Sequence, residues 1–236
     1  MTGPRFGDKS NFGTGNVSYD NQGQQTQGDR SPMTVGFPDR SSKSGAAAAP
    51  ESPADRSRNV FVVHGRDEQV RREVFELLRR LDLRPLEWED LVKATGKASP
   101  FIGEVVAQAP HFAQAALVLL TPDDEARLHP SLHGEDEPGY ETRATGQARP
   151  NVLIELGMVL MAYPERTLIV EVGTLRPASD IAGRNVIQFD GSEIAIGKVV
   201  ERLKRAGCQV NDTGSDWRET WPFRHLAAYH RRPGRP

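Results

Sequence analysis

One glutamate stands among residues that disfavour it. Glu155 lies in NVLIELGMVLMAY (151–163), with Val152, Leu153, Ile154, Leu156, Met158, Val159, Leu160 and Met161 around it. That spacing predicts a helix that is apolar almost all round and therefore buried. A charged carboxylate in such a helix is costly unless it is paired or lines a cavity. Asn151 precedes it by one turn on the same face, so an amide and a carboxylate could share one cleft. The spacing alone leaves two readings open. Glu155 is either a reactive carboxylate, or a structural one paired with an arginine such as Arg66 or Arg149.

Other groups with chemical potential sit in short polar turns. His64-Gly65-Arg66-Asp67 closes an apolar run and opens a helical pattern. There Gly65 would allow a ligand close to the backbone, helix N–H groups favour phosphate, and Arg66 could add a bidentate contact. The same four residues also make an ordinary turn with a helix cap. Thr121-Pro122-Asp123-Asp124 reads equally as a turn. The chain has neither GxGxxG nor a Walker A sequence, so dinucleotide-fold and kinase-type readings lack their marker. It also lacks GxSxG, and its single cysteine, Cys208, ends a distal helical pattern, which weakens nucleophilic hydrolase readings. His129 and His133 stand four apart in a polar stretch without ligand companions, and one cysteine makes no zinc cluster, so no metal is expected.

The elements that must position these groups begin sharply at Asn59. NVFVVHG (59–65) reads as a buried parallel strand, and Asp67 as the cap of a helix with Val70, Val74, Leu77, Leu78 and Leu81 on one face. RPLEWED (84–90) is a second strand, LVKATGKAS a loop, and PFIGEVVAQA a helix with Pro100 near its first turn. AALVLLT (115–121) is a third strand, and residues 122–150 form a long polar loop. After the helix carrying Glu155 come strands TLIVEVG (167–173) and NVIQFDG (185–191), then a helix over 192–207 with a glycine C-cap. Strand and helix alternate throughout. The expectation is an α/β, flavodoxin-like sheet of five parallel strands with helices on both faces. Ligands of such sheets bind beyond the carboxyl ends of the strands. That places the mouth at His64–Asp67, Glu89–Ser99, Thr121–Asp124 and the residues before Asn151.

Composition sets the surroundings. Of 236 residues 37% are hydrophobic and 26% charged, with a formal net charge of −2, so no basic field favours nucleic acid. No apolar run is long enough to span a bilayer and none opens the chain, so the expectation is a cytoplasmic protein without a membrane partner. The first 57 residues hold no leucine or isoleucine and are expected to be a disordered tail. Residues 6–30 are rich in Gly, Asn and Gln with Phe6, Phe12, Val17 and Tyr19 spaced among them, and 31–57 read as a linker. The expected organisation is a tail over 1–57, a domain over 58–210 and an extension over 211–236, in which Trp217 and Trp221 imply some packing.

Three stretches carry a family resemblance when taken together: VFVVHGRDEQVRREVFELLRRLDLRPLEWED, ASPFIGEVVAQAPHFAQAALVLLTPDDE and RPNVLIELGMVLMAYPERTLIVEVG, trailed by PASDIAGRNVIQFDG. In this order they resemble the bacterial TIR-like nucleotide-binding domain, the effector half of Pycsar and CBASS anti-phage proteins, over roughly residues 58–210. The landmarks are V-x-H-G-x-D, LLTPDD and N-V-x-x-E-L-G. The resemblance implies an NAD⁺ glycohydrolase in antiviral defence, with NAD⁺ as substrate and no cofactor. It implies activity in a homo-oligomer and an upstream sensor protein or signal. Glu155 matches the catalytic glutamate, and His64, Gly65, Arg66, Asp67, Thr121, Asp123, Asp124 and Asn151 become the substrate-binding residues. The loop from Glu89 to Ser99 matches the one that closes over NAD⁺, but reads EDLVKATGKAS rather than a Gln-Gly-Arg-Thr type of sequence. Residues 1–57 are too short and polar for the cyclic-nucleotide sensor of those effectors, and weakly resemble the amyloid-type signalling motifs that precede bacterial death effectors.

One carboxylate suffices for the implied chemistry. Nicotinamide leaves NAD⁺ as a neutral molecule, so no general acid must protonate it, unlike the two-carboxylate glycosidases. What needs stabilising is an oxocarbenium-like ribose, which a preorganised carboxylate does electrostatically. The alternatives are a TIR-like scaffold that assembles without turnover, and a nucleoside deoxyribosyltransferase that uses the carboxylate as a nucleophile.

Overall fold

The computed structural model describes residues 56–181 and 183–231. The expectations for the tail lie outside the described residues, apart from Arg56 and Ser57. Strand β1 (Asn59–Val63) is followed by helix α1 (Glu68–Arg80), β2 (Arg84–Leu86), α2 (Trp88–Ala94), α3 (Ile102–Phe112) and β3 (Ala115–Leu120). A small hairpin of β4 (Asp124–Ala126) and β5 (Thr145–Gln147) encloses the short helix α4 (Gly139–Thr142). Helix α5 (Pro150–Ala162), β6 (Thr167–Val172), β7 (Ile187–Phe189) and α6 (Glu193–Arg205) complete the domain.

The five-stranded sheet has the order β2-β1-β3-β6-β7, and every pairing is parallel. This is the flavodoxin-like α/β arrangement the alternation of elements predicts. Its strands read as unbroken apolar runs because both faces are covered. Val60, Val62, Leu117, Leu119, Leu168 and Val170 pack with α1 and α6 on one face. Phe61, Val63, Val118, Leu120 and Ile169 pack with α2, α3 and α5 on the other.

Three expectations need correction. The strand at 84–90 ends at Leu86, because the Asp90 carboxylate accepts from Glu87 N at 2.9 Å and starts a helix. Half of the loop from Glu89 to Ser99 is therefore helical. The long loop over 122–150 contains the hairpin, with Asp124 opposite Gln147 and Ala126 opposite Thr145. Helix α5 is not buried all round. It turns Val152, Leu156 and Val159 to the sheet and leaves Ile154 58% and Met161 87% exposed.

The carboxyl-terminal residues are part of the domain. Gln209 N donates to Ser57 O at 2.8 Å, and Trp217, Phe223, Leu226 and Ala228 are buried in the core on the α1 and α6 face.

Candidate functional site

Three elements carry the candidate residues. The turn after β1 holds His64, Gly65, Arg66 and Asp67. The turn after β3 holds Thr121, Asp123 and Asp124. The first turns of α5 hold Asn151 and Glu155.

The two turns are knitted together. Thr121 Oγ1 donates to Asp123 Oδ1 at 2.8 Å, and Arg66 N donates to Asp123 Oδ2 at 2.7 Å. Gly65 makes this approach feasible, since a Cβ at that position would lie 1.8 Å from Asp123 Oδ2. The neighbour that needs the glycine is thus a carboxylate of the protein. Asp67 caps α1 by accepting from Val70 N at 3.0 Å. Its other oxygen accepts from Arg231 at 2.8 Å. Asp67 and Thr121 are buried. Their polar groups, with those of Asp123, are therefore engaged within the protein. Asp124 forms an ion pair with Arg149 at 3.2 Å. His64 stacks edge-on against Phe75 of α1, with centroids 6.0 Å apart, and its Nδ1 lies 2.9 Å from Gly65 O. Arg66 is exposed, and its guanidinium forms no ion pair among the described residues.

Glu155 is placed differently. It shares with Met158 the flank of α5 that turns toward α3, where a Cβ on Gly103 would lie 3.8 Å from Met158 Cε. The carboxylate is half-buried and has no hydrogen bond or ion pair among the described residues. Burial raises its pKa above the ordinary value of 4.5, and desolvation is the only cause. Arg149, one of the two suggested partners, is spent on Asp124. Asn151 is exposed one turn closer to the mouth. No hydrogen bond joins Glu155 to the other candidates among the described residues. His64 leans toward α1, whereas α5 covers the opposite face.

On the other flank of α5 lies a cavity of about 270 Å³, lined by Leu120, Leu153, Leu175 and Ile181 together with an Arg176–Glu141 ion pair. Arg176 lies in a stretch that the sequence marks only by its Pro and Ala content, and Arg231 stands 164 residues from its partner Asp67. Neither has a local sequence signal.

A family model described as the TIR domain of the CAP12/Pycsar effector protein matches residues 59–191. The chain belongs to this family. The match runs from the first residue of β1 to Gly191 at the turn after β7, so every candidate residue lies within this TIR domain, whereas Arg231 lies beyond the match. No curated protein matches the chain. Among the described residues, no helix is long and apolar enough to cross a membrane.

Proposed function

We propose that this TIR domain cleaves the bond between nicotinamide and ribose in NAD⁺, as an anti-phage effector that an upstream signal switches on through assembly of copies. The observation that carries the reading is Glu155: a half-buried carboxylate in the second turn of α5, without a partner among the described residues and with a raised pKa. Natural proteins seldom leave such a group uncompensated unless it has a task. Here the task is electrostatic. As the C1′–N bond breaks, its electron pair goes to the pyridinium nitrogen and positive charge grows on the ribose, which the carboxylate stabilises before water attacks C1′. Arg66, exposed at the helix end, serves the pyrophosphate, and Asn151 a ribose hydroxyl. Gly65, Asp67, Thr121 and Asp123 form the frame that holds Arg66, with His64 and Asp124 packed beside it against Phe75 and Arg149.

The exposed apolar Phe101, Ile154 and Met161 favour contact between copies. The Gly/Asn/Gln-rich residues 1–30 add a second route to assembly.

Chromatography of the full-length protein incubated with NAD⁺ tests the reading. Nicotinamide and an ADP-ribose product appear with the wild type, and Glu155→Ala yields none. Absence of nicotinamide from assembled wild-type protein would reduce the domain to a scaffold. Turnover of nucleosides in preference to NAD⁺ would point to the transferase.

A further inference from the structure

We propose that Arg231, which lies forty residues past the matched region, is a positioning residue of the site, acting on the β1–α1 turn through two buried carboxylates. The proposal rests on the reading of the domain as an NAD⁺-cleaving enzyme.

The path of the chain after α6 supplies the argument. From Gln209 at the amino edge of the sheet it runs past the end of α1, where Asn211 N donates to Leu81 O at 2.9 Å. It then rises along the α1 and α6 face, with Trp217 buried on the way. At the carboxyl edge it crosses β7, where Phe223 meets Phe189 edge-on at 5.1 Å. Next it crosses β6, where Ala228 O sits 2.3 Å from the position of a Cβ on Gly173. Only a glycine allows that approach, and Gly173 has the left-handed φ of 85° as well. Gln69 of α1 grips the strap from the side, donating to His225 O at 3.2 Å and accepting from Ala227 N at 3.0 Å. The strap is therefore held at several points before it delivers Arg231 to the turns after β1 and β3.

There the guanidinium meets two carboxylates of the frame, those of Asp67 and Asp123. Nη2 lies 2.8 Å from Asp67 Oδ2, and Nη1 3.5 Å from Asp123 Oδ1 and 3.4 Å from Pro122 O. The Asp67 and Asp123 side chains are only 3% and 4% exposed. Two carboxylates so far out of water need a cation, and among the described residues no other ion pair reaches either one. Asp123 passes the restraint on, because its Oδ2 holds Arg66 N. Asp67 anchors the other end of the turn as the cap of α1. Without Arg231 the two carboxylates repel, draw in water and move, and the turn that carries Arg66 loosens. Glu155, on α5 over the other face, is untouched. Loss of Arg231 thus weakens substrate binding and spares the bond-breaking step.

The test uses the full chain with Arg231→Ala, Arg231→Lys and, as a surface control on the same strap, Arg218→Ala. Steady-state NAD⁺ cleavage is combined with hydrogen exchange. Arg231→Ala is expected to raise KM about tenfold with kcat within about twofold of wild type. Exchange in peptides covering 64–67 should accelerate, and exchange in 187–189 should not. Arg231→Lys should recover most of the KM, and Arg218→Ala should match wild type. Wild-type KM and exchange in Arg231→Ala would overturn the proposal, as would a fall in kcat with faster exchange across the whole domain. Should the wild type release no nicotinamide, the enzymic reading fails. The exchange at 64–67 then decides alone: faster in Arg231→Ala upholds the positioning role, and unchanged refutes it.

Discussion

Replacing Glu155 by glutamine removes the charge and keeps the shape, and it should separate catalysis from stability in opposite directions. A carboxylate about 4 Å from a cationic ribose, in a half-buried setting with an effective dielectric near 20, contributes about 4 kcal/mol. Its loss should slow NAD⁺ cleavage about a thousandfold. Stability should move the other way. Burial lifts the folded-state pKa of Glu155 above the ordinary 4.5, so the fold favours the neutral acid. Well below that value the group is neutral in both folded and unfolded chains and contributes nothing. As the pH rises through the folded pKa the carboxylate ionises against its environment, and the full penalty is present above it. Glu155→Gln should therefore melt with the wild type near pH 4 and above it near pH 8. The acid limb of the wild-type pH–rate profile should also lie above 4.5, because the ionised form is the active one. Nicotinamide release followed by chromatography and melting at the two pH values check both halves. A Glu155→Gln protein that is less stable at pH 8 would mean that the carboxylate has a structural partner, and the argument from its isolation would fall.

Arg66→Ala should raise KM for NAD⁺ about tenfold with little change in kcat, and an unchanged KM would remove this arginine from the site. Gly65→Ala forces a Cβ to within 1.8 Å of Asp123 Oδ2, so the bond from Arg66 N must break. The loss of about 2 kcal/mol for a charge-assisted bond should lower Tm by about 4–8 °C, readable by differential scanning fluorimetry. Deleting residues 1–30 should leave a folded domain with strongly reduced NAD⁺ cleavage, partly restored by an artificial oligomerisation tag. A deletion variant as active as the full chain at equal dilute concentration would leave those residues without a part in activation.

The parallel sheet was legible because its strands are buried on both faces and so appear as continuous apolar runs. Val60–Val63 and Ala115–Leu120 stand out by composition alone. Shorter elements were not. The Glu87–Asp90 cap looks like the tail of a strand, and the hairpin between Asp124 and Gln147 has three-residue strands too brief to show alternation. In α5 the apolar content misled, since Ile154 and Met161 face outward where periodicity predicts a covered helix. Glu155 was conspicuous for the same reason: a lone charge in an apolar run. The turns after β1 and β3 were legible as turns. That Asp67 and Asp123 share Arg231 was not legible, because a contact over 164 residues leaves no trace in local spacing.

That separation bears on how the domain comes to be folded. A pairing between residues so far apart closes one of the longest loops the chain can make, and its entropy must be met before the contact repays it. During synthesis the segment after β7 follows the rest of the sheet, and at about 5–20 residues per second it arrives seconds later. Through that interval the core on the α1 and α6 face lacks Trp217, Phe223 and Leu226, and Asp67 and Asp123 lack their cation. The frame around Arg66 is thus among the last parts of the nascent protein to settle, and a ribosome halted before residue 231 would carry a sheet without a finished mouth.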